Sequence, residues 1–226
     1  MTVSGRLIVL LGCAASLSGQ TTTPRDPFTS SDFVHVRPGS FSMGSAKATA
    51  AERPVHTVTL TRDYWMQRYL VTQSQWQAVM GTNPSVHRQC AACPVDNVSF
   101  DQVRAFLDAL NKLSPTQKYR LPTEAEWEFA ARTEATGDRG TAGTVTLRSW
   151  MAVDVFEWVA DWYGPYSSSP VTDPGGPSQG GDCTCRVLRG GSFDDDAAYL
   201  RSAASVRPSP ALRFNLSIGF RLARSE

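Results

Sequence analysis

Residues Tyr119 to Arg132 read YRLPTEAEWEFAAR, and the local chemistry of this stretch is unusually explicit. Pro122 fixes the approach of the chain, Thr123 is placed to cap a helix, and Glu126 three residues on can reach back to the cap's own N–H. A helix is therefore expected over Glu124 to Arg132, with its glutamates at the positive end of the helix dipole and Trp127, Ala130 and Ala131 on the buried side. The same reciprocal signature occurs twice upstream. TQSQW pairs Thr72 with Gln75, and SFDQV pairs Ser99 with Gln102. The first of these helices is expected to run to about Met80 and stop at Gly81. The second carries Val103, Phe106, Leu107, Leu110 and Leu113 at offsets that make one apolar face.

Strand signals are short. FVHVRPGSFSMG alternates at Phe33, Val34 and Val36, turns at Pro38-Gly39 and returns with Phe41 and Met43. VHTVTL sets Val58 and Leu60 against Thr57 and Thr59, which leaves His56 reading as a surface residue. RVLRGG and IGFRLA are the last two candidates, and the remainder is turn-forming. Seventeen glycines and fourteen prolines support that reading. The fold class expected is α+β: irregular and loop-rich, with short strands and a few helices.

The 226 residues carry a net charge of +1 with no basic cluster, so no field favours nucleic acid. The opening MTVSGRLIVLLGCAAS has Arg6, then the apolar run Leu7 to Leu11, then small residues, the pattern of an export signal over 1–13. LLGC resembles a bacterial lipobox, which makes Cys13 a candidate for lipidation; a plain cleaved signal is the other reading. Residues 14–32, rich in Ser, Thr and Pro, read as a flexible tether, and the folded domain as 33–226. The expected location is the cell envelope, as an outer-membrane or periplasmic lipoprotein, or outside the cell. Membrane contact is expected only through an N-terminal lipid.

Four further cysteines, Cys90, Cys93, Cys183 and Cys185, form an even set in a chain read as exported, which favours structural disulfides over free thiols or a metal pair. Their connectivity is not legible.

YRLPTEAEWEFAAR, together with SFSMGS, YLVTQSQW, PVDNVSFDQVRAF, FEWVADWYG, RVLRGGSF and IGFRLA, resembles the formylglycine-generating enzyme (sulfatase-modifying factor) family. The motifs occur in the family's order across about Val34 to Ala223. The resemblance implies a fold related to C-type lectins. In the enzymes it also implies two cysteines after RGGS that bind copper and activate oxygen. Counted from RGGS those places fall on Asp195 and Leu200, a poor donor set for cuprous ion. A related branch uses histidine-bound iron, but His35, His56 and His87 are widely separated. The family's calcium segment reads WMAVDVFEW here: Trp150 and Val153 replace its Asn and Gly, Asp154 its second Asn, and only Glu157 survives. Calcium is thus weakly supported, no cofactor is expected, and Glu157 reads as a partly buried carboxylate paired to an arginine.

What chemistry remains lies between RGGS and GFR. Phe193, Asp194, Asp195, Asp196, Tyr199, Arg201, Arg207, Arg213 and Phe214 are candidates for a ligand-binding surface, the aromatics as anchors and the charges at a rim. A structural cluster in which these arginines pair with the aspartates is the plainer alternative. RGGSF, LRSA and GFRLA also resemble the fixed frame of lipoproteins whose segment between these motifs is diversified. The expected function is a non-catalytic binding module for a protein or glycan; the alternatives are a copper- or iron-dependent oxidase of the family and a structural envelope protein.

Overall fold

The computed structural model describes residues 26–29, 32–47, 49–86, 88, 90–136, 155–178, 183–191, 201–207 and 218–225. Three helices begin where the hydroxyl caps place them. Helix α1 (Gln73–Met80) and helix α2 (Phe100–Leu113) each carry both halves of the capping box, and α1 ends at Gly81 with φ 71°. Helix α3 (Glu124–Thr136) starts with Thr123 Oγ1 accepting from the Glu126 N–H at 3.1 Å, while Glu126 Oε2 accepts from the Thr123 N–H at 2.8 Å. It runs four residues beyond the expected Arg132. On α2, Val103, Phe106 and Leu110 are fully buried, and Leu107 packs partly against them.

The strands are β1 (Phe33–Val36), β2 (Gly39–Met43), β3 (His56–Leu60), β4 (Tyr64–Gln67), β5 (Tyr119–Arg120), β6 (Phe156–Trp162), β7 (Val171–Thr172), β8 (Arg186–Arg189), β9 (Ser205–Val206), β10 (Ile218–Phe220) and β11 (Ala223–Ser225). They form three small sheets in the orders β1-β4-β11-β5, β10-β6-β8-β9 and β2-β3-β7. The pairs β10–β6 and β3–β7 are parallel, and the rest are antiparallel.

Several expectations change. The strands on either side of Pro38-Gly39 do not pair as a hairpin: β1 pairs with β4 and β2 with β3, so that turn passes the chain from one sheet to another. IGFRLA is two strands in two sheets. Strand β6, the centre of the second sheet, gave no strand signal because Glu157 and Asp161 interrupt its apolar run. His56 is buried; it shares the inward parity of Val58 and Leu60, donates through Nδ1 to the Pro54 carbonyl at 3.1 Å, and lies against Tyr166. Packing also begins before Phe33. Phe28 sits in the core against Phe33 and Tyr119, and Asp26 accepts from the Tyr119 hydroxyl at 2.9 Å.

The second sheet divides the interior. Phe156 and Trp158 of β6, Leu188 of β8, Ile218 and Phe220 face α1 and α2, where Trp76 stacks on Phe106 at 5.1 Å. The alternate residues face α3. Val159 and Val187 join Trp127, Ala125, Ala130 and Ala131 there, and so do Glu157, Asp161 and Arg189. A period of two along each strand therefore sends Glu157, Asp161 and Arg189 toward the start of α3, while Arg186 at the edge of β8 lies over Phe100 of α2.

Candidate functional site

The charged residues between α3 and the second sheet are buried, and each is held by named partners. Glu124 and Glu128 lie one turn apart on the same face of α3. Arg189, fully buried at the end of β8, donates through Nη2 to Glu128 and through Nη1 to Glu124 at 3.5 Å. The same guanidinium donates to the carbonyls of Ser202 and Ala203 at 2.9 and 3.1 Å, and stands 5.2 Å from the centre of the Trp127 ring. Glu128 also accepts from the Gly44 N–H at 3.0 Å and from Arg132 Nε at 2.7 Å; Arg132 returns to the Gly44 carbonyl at 2.9 Å. Glu124 Oε1 accepts from the hydroxyls of Ser205 at 2.7 Å and Tyr166 at 2.8 Å.

Two further clamps flank this one. Arg201 donates from both Nη atoms to Glu52 at 2.9 and 2.8 Å. Arg221 donates from Nε and Nη2 to the two oxygens of Glu157 at 2.6 and 2.7 Å, and Trp127 Nε1 adds a bond of 2.9 Å. Glu157 is therefore paired to an arginine, but fully rather than partly buried, and both oxygens are engaged. That donor state does not fit a calcium ligand. Among the described residues no three His, Cys, Asp or Glu side chains converge as a metal site would require.

The clamps share one geometric result. Arg189 and the positive-φ Gly190 (87°) stand immediately before residues 192–200, and Arg201 immediately after. Arg221 follows β10, immediately beyond residues 208–217. Residues 192–200 are thus flanked on both sides by arginines held in ion pairs, and residues 208–217 lead into the strand that precedes Arg221. Burying such pairs offers little net stability compared with apolar packing, but removing one partner is costly, so they specify position.

Of the candidate ligand residues, Arg201 and Arg207 are described. Arg201 is committed to Glu52 and acts as an anchor, and Arg207 is exposed after β9. Phe193, Asp194, Asp195, Asp196, Tyr199, Arg213 and Phe214 lie outside the described residues, as does Cys13. Cys90 is bonded to Cys93 and Cys183 to Cys185, so each short-spaced pair closes on itself. Arg189, Glu124, Glu128 and Glu52 were not singled out from sequence. The signal was there for the glutamates: Glu128 stands between Trp127 and Phe129 in a helix otherwise lined by alanines.

A family model described as the sulfatase-modifying factor enzyme 1-like domain matches residues 19–150 and 147–226. The chain belongs to this family. Within the family, the formylglycine-generating enzyme of Streptomyces coelicolor is 31% identical over 174 residues, covering 58% of this chain and 52% of that one. The serine/threonine-protein kinase pkn1 of Chlamydia pneumoniae is 28% identical over 246 residues, covering 86% of this chain and 38% of that one. The chain thus spans about two fifths to about half of these curated relatives. Among solved structures, Treponema denticola variable protein 1 superposes with a TM-score of 0.70 at 25% identity, covering 86% of this chain and 95% of that one. PvdO from Pseudomonas aeruginosa gives 0.62 at 22% identity over 86% and 94%, a likeness of fold.

Among the described residues of these clamps in the sulfatase-modifying factor domain, one carboxyl has no arginine paired to it. The clamps contain Glu52, Glu124, Glu128, Glu157 and Asp161 but only Arg132, Arg189, Arg201 and Arg221. Asp161 on β6 is the unmatched one: Oδ2 accepts from the Glu124 N–H at 2.7 Å, and burial, followed by the Glu124 charge, pushes its pKa up to about 8. It is a neutral acid at physiological pH. In the unfolded chain it ionises near 3.8, so the folded state holds its proton more tightly. This contribution to stability is complete below about 4 and is lost as pH rises to about 8. Asp161→Asn, which keeps the shape and the acceptor, removes the slope. The stability of D161N relative to the parent is expected to grow by about 3 kcal/mol between pH 5.5 and pH 9 in urea unfolding. A constant difference across that range would contradict a protonated Asp161.

Proposed function

We propose that this chain is an exported, non-catalytic member of the sulfatase-modifying factor family that binds a protein or glycan through its C-terminal segment. The observation that carries the reading is the pairing of two facts. The positions where the enzymes of the family hold their copper thiols are Asp195 and Leu200 here, and the segment containing them is bracketed by the buried clamps of Arg189 and Arg201. A carboxylate and an alkyl group do not suit cuprous ion, so no step through copper is assigned to them. A rigid frame around a segment rich in aromatic and charged residues suits recognition, because fixed ends lower the ordering cost of binding. The likeness to a Treponema protein named for its variability fits a fold that presents a changeable surface. The export signal read in residues 1–13 supports a location in the cell envelope or outside the cell, with Cys13 as the candidate lipid anchor.

Two measurements test this together. Incubation with a cysteine-bearing sulfatase peptide, copper and oxygen is expected to leave the thiol intact by mass spectrometry; conversion to the aldehyde would restore the oxidase reading. On a glycan and extracellular-protein array, replacing Asp194, Asp195, Asp196, Tyr199 and Phe214 by alanine is expected to lower the parent's signals at least tenfold with an unchanged melting temperature. Signals that survive would place the binding surface elsewhere.

A further inference from the structure

Beneath the loop that follows β6 lies a cavity of about 290 Å³. Its polar walls are Asp161, Glu124, Tyr166 and His56; its apolar walls include Met43 and Val171, with prolines from the 164–177 loop. Asp161 is 3% exposed, and its Oδ1 has no hydrogen-bond partner among the described residues. That oxygen lies over Gly176, where an added Cβ would stand 2.7 Å from it. Glycine at 176, with φ 71°, therefore keeps the space in front of the carboxyl open.

The hydrogen-bonding character of the cavity is one-sided. The Tyr166 hydroxyl donates to Glu124 and keeps its own lone pairs. Burial, and then the Glu124 charge, hold that hydroxyl protonated. His56 donates through Nδ1 to the Pro54 carbonyl, which leaves Nε2 facing the cavity as the acceptor of the neutral ring. Ser167 spends its hydroxyl proton on the Ser169 carbonyl. Once Asp161 is ionised, its Oδ1 joins Tyr166 Oη and the Nε2 of a neutral His56 as acceptors, and the described lining then offers no uncommitted side-chain donor to oppose them. Of common ligand groups, only a cation with several N–H donors and no acceptor matches such a set.

From this cavity we propose a binding site for a primary ammonium carried on a short aliphatic stem, as in a lysine side chain. The ammonium faces Asp161 and the stem lies along Met43, Val171 and the prolines. A compact ammonium with three rotatable donors suits this hollow better than a planar guanidinium. The site is separate from the C-terminal surface and does not rest on its function.

Binding requires Asp161 to ionise. The groups that bear on it are Glu124 and Glu126 of α3 and Arg189 of β8, with His56 and Tyr166 across the cavity. Affinity for an ammonium is therefore expected to rise up to about tenfold per pH unit between pH 6 and pH 8, as the acid with a pKa of about 8 gives up its proton. The test is titration calorimetry of the full chain with n-pentylammonium and, as a neutral isostere, 1-pentanol. The amine is expected to bind with proton release and the alcohol at least tenfold more weakly. D161N, which is expected to fold at least as stably as the parent, should lose the amine's advantage. Val171→Phe, filling the apolar wall, should weaken both probes. Equal binding of amine and alcohol, an amine affinity independent of pH, or an undiminished affinity in D161N would each overturn the proposal.

Discussion

Arg189→Met is expected to destabilise the fold by about 3–5 kcal/mol, enough to unfold a large fraction of the protein at 37 °C. Methionine restores most of the volume and keeps contact with Trp127, so a loss of that size measures charge and hydrogen bonding rather than a cavity. The change leaves Glu124 without its guanidinium and Glu128 with Arg132 alone. It also strips the carbonyls of Ser202 and Ala203 of their donor. Each group is buried, so none is rescued by water. Urea unfolding at pH 7 gives the magnitude, and the double variant with Glu128→Gln should recover part of it because one uncompensated charge is gone. A cost below about 1 kcal/mol would mean that the network is ornamental and that the C-terminal segment is positioned by other means.

Gly44→Ala should cost about as much for a different reason. Gly44 has φ 92°, a region that a side chain enters only under strain, and an added Cβ would stand 2.4 Å from the Glu52 carbonyl oxygen. The obstacle is backbone, so the chain itself has to move. Its movement is transmitted, because the Gly44 N–H binds Glu128, its carbonyl binds Arg132, and Ser45 N–H binds the Glu52 carbonyl. Glu52 holds Arg201. A loss of about 2–5 kcal/mol is expected, together with faster amide exchange at Ser202–Val206, which is far from residue 44 in sequence. Exchange that quickens only around 40–55 would show that the two ends of the network are not coupled.

The parts of the fold that were legible in the sequence are those decided within four residues. Thr72, Ser99 and Thr123 announce their helices because a cap and its reciprocal partner are neighbours in the chain. Pairings decided at a distance were not legible. Pro38-Gly39 looks like a hairpin because nothing local says that β1 pairs with β4, about thirty residues away. Strand β6 was hidden for a related reason: Glu157 and Asp161 read as solvated until Arg221 and the start of α3 are seen to receive them. His56 could have been read correctly, since it shares the parity of Val58 and Leu60, and histidine's usual surface preference was the misleading prior. For the site, the frame of motifs was visible through family resemblance, while the charge balance that singles out Asp161 depends on contacts such as Glu52 with Arg201, 149 residues apart.

The position of β11 bears on how the molecule comes into being. Ala223 lies between Met66 of β4 and Arg120 of β5, and the Leu222 N–H is received by Gln67 at 3.0 Å. Until residue 225 has left the ribosome, β4 and β5 have no strand to join them and the first sheet lacks its third member. The nascent chain must therefore wait, unfolded and threadable, and then close through contacts between its distant parts, a topology that makes for slow acquisition of structure and a long exposure to helper proteins and proteases on the way.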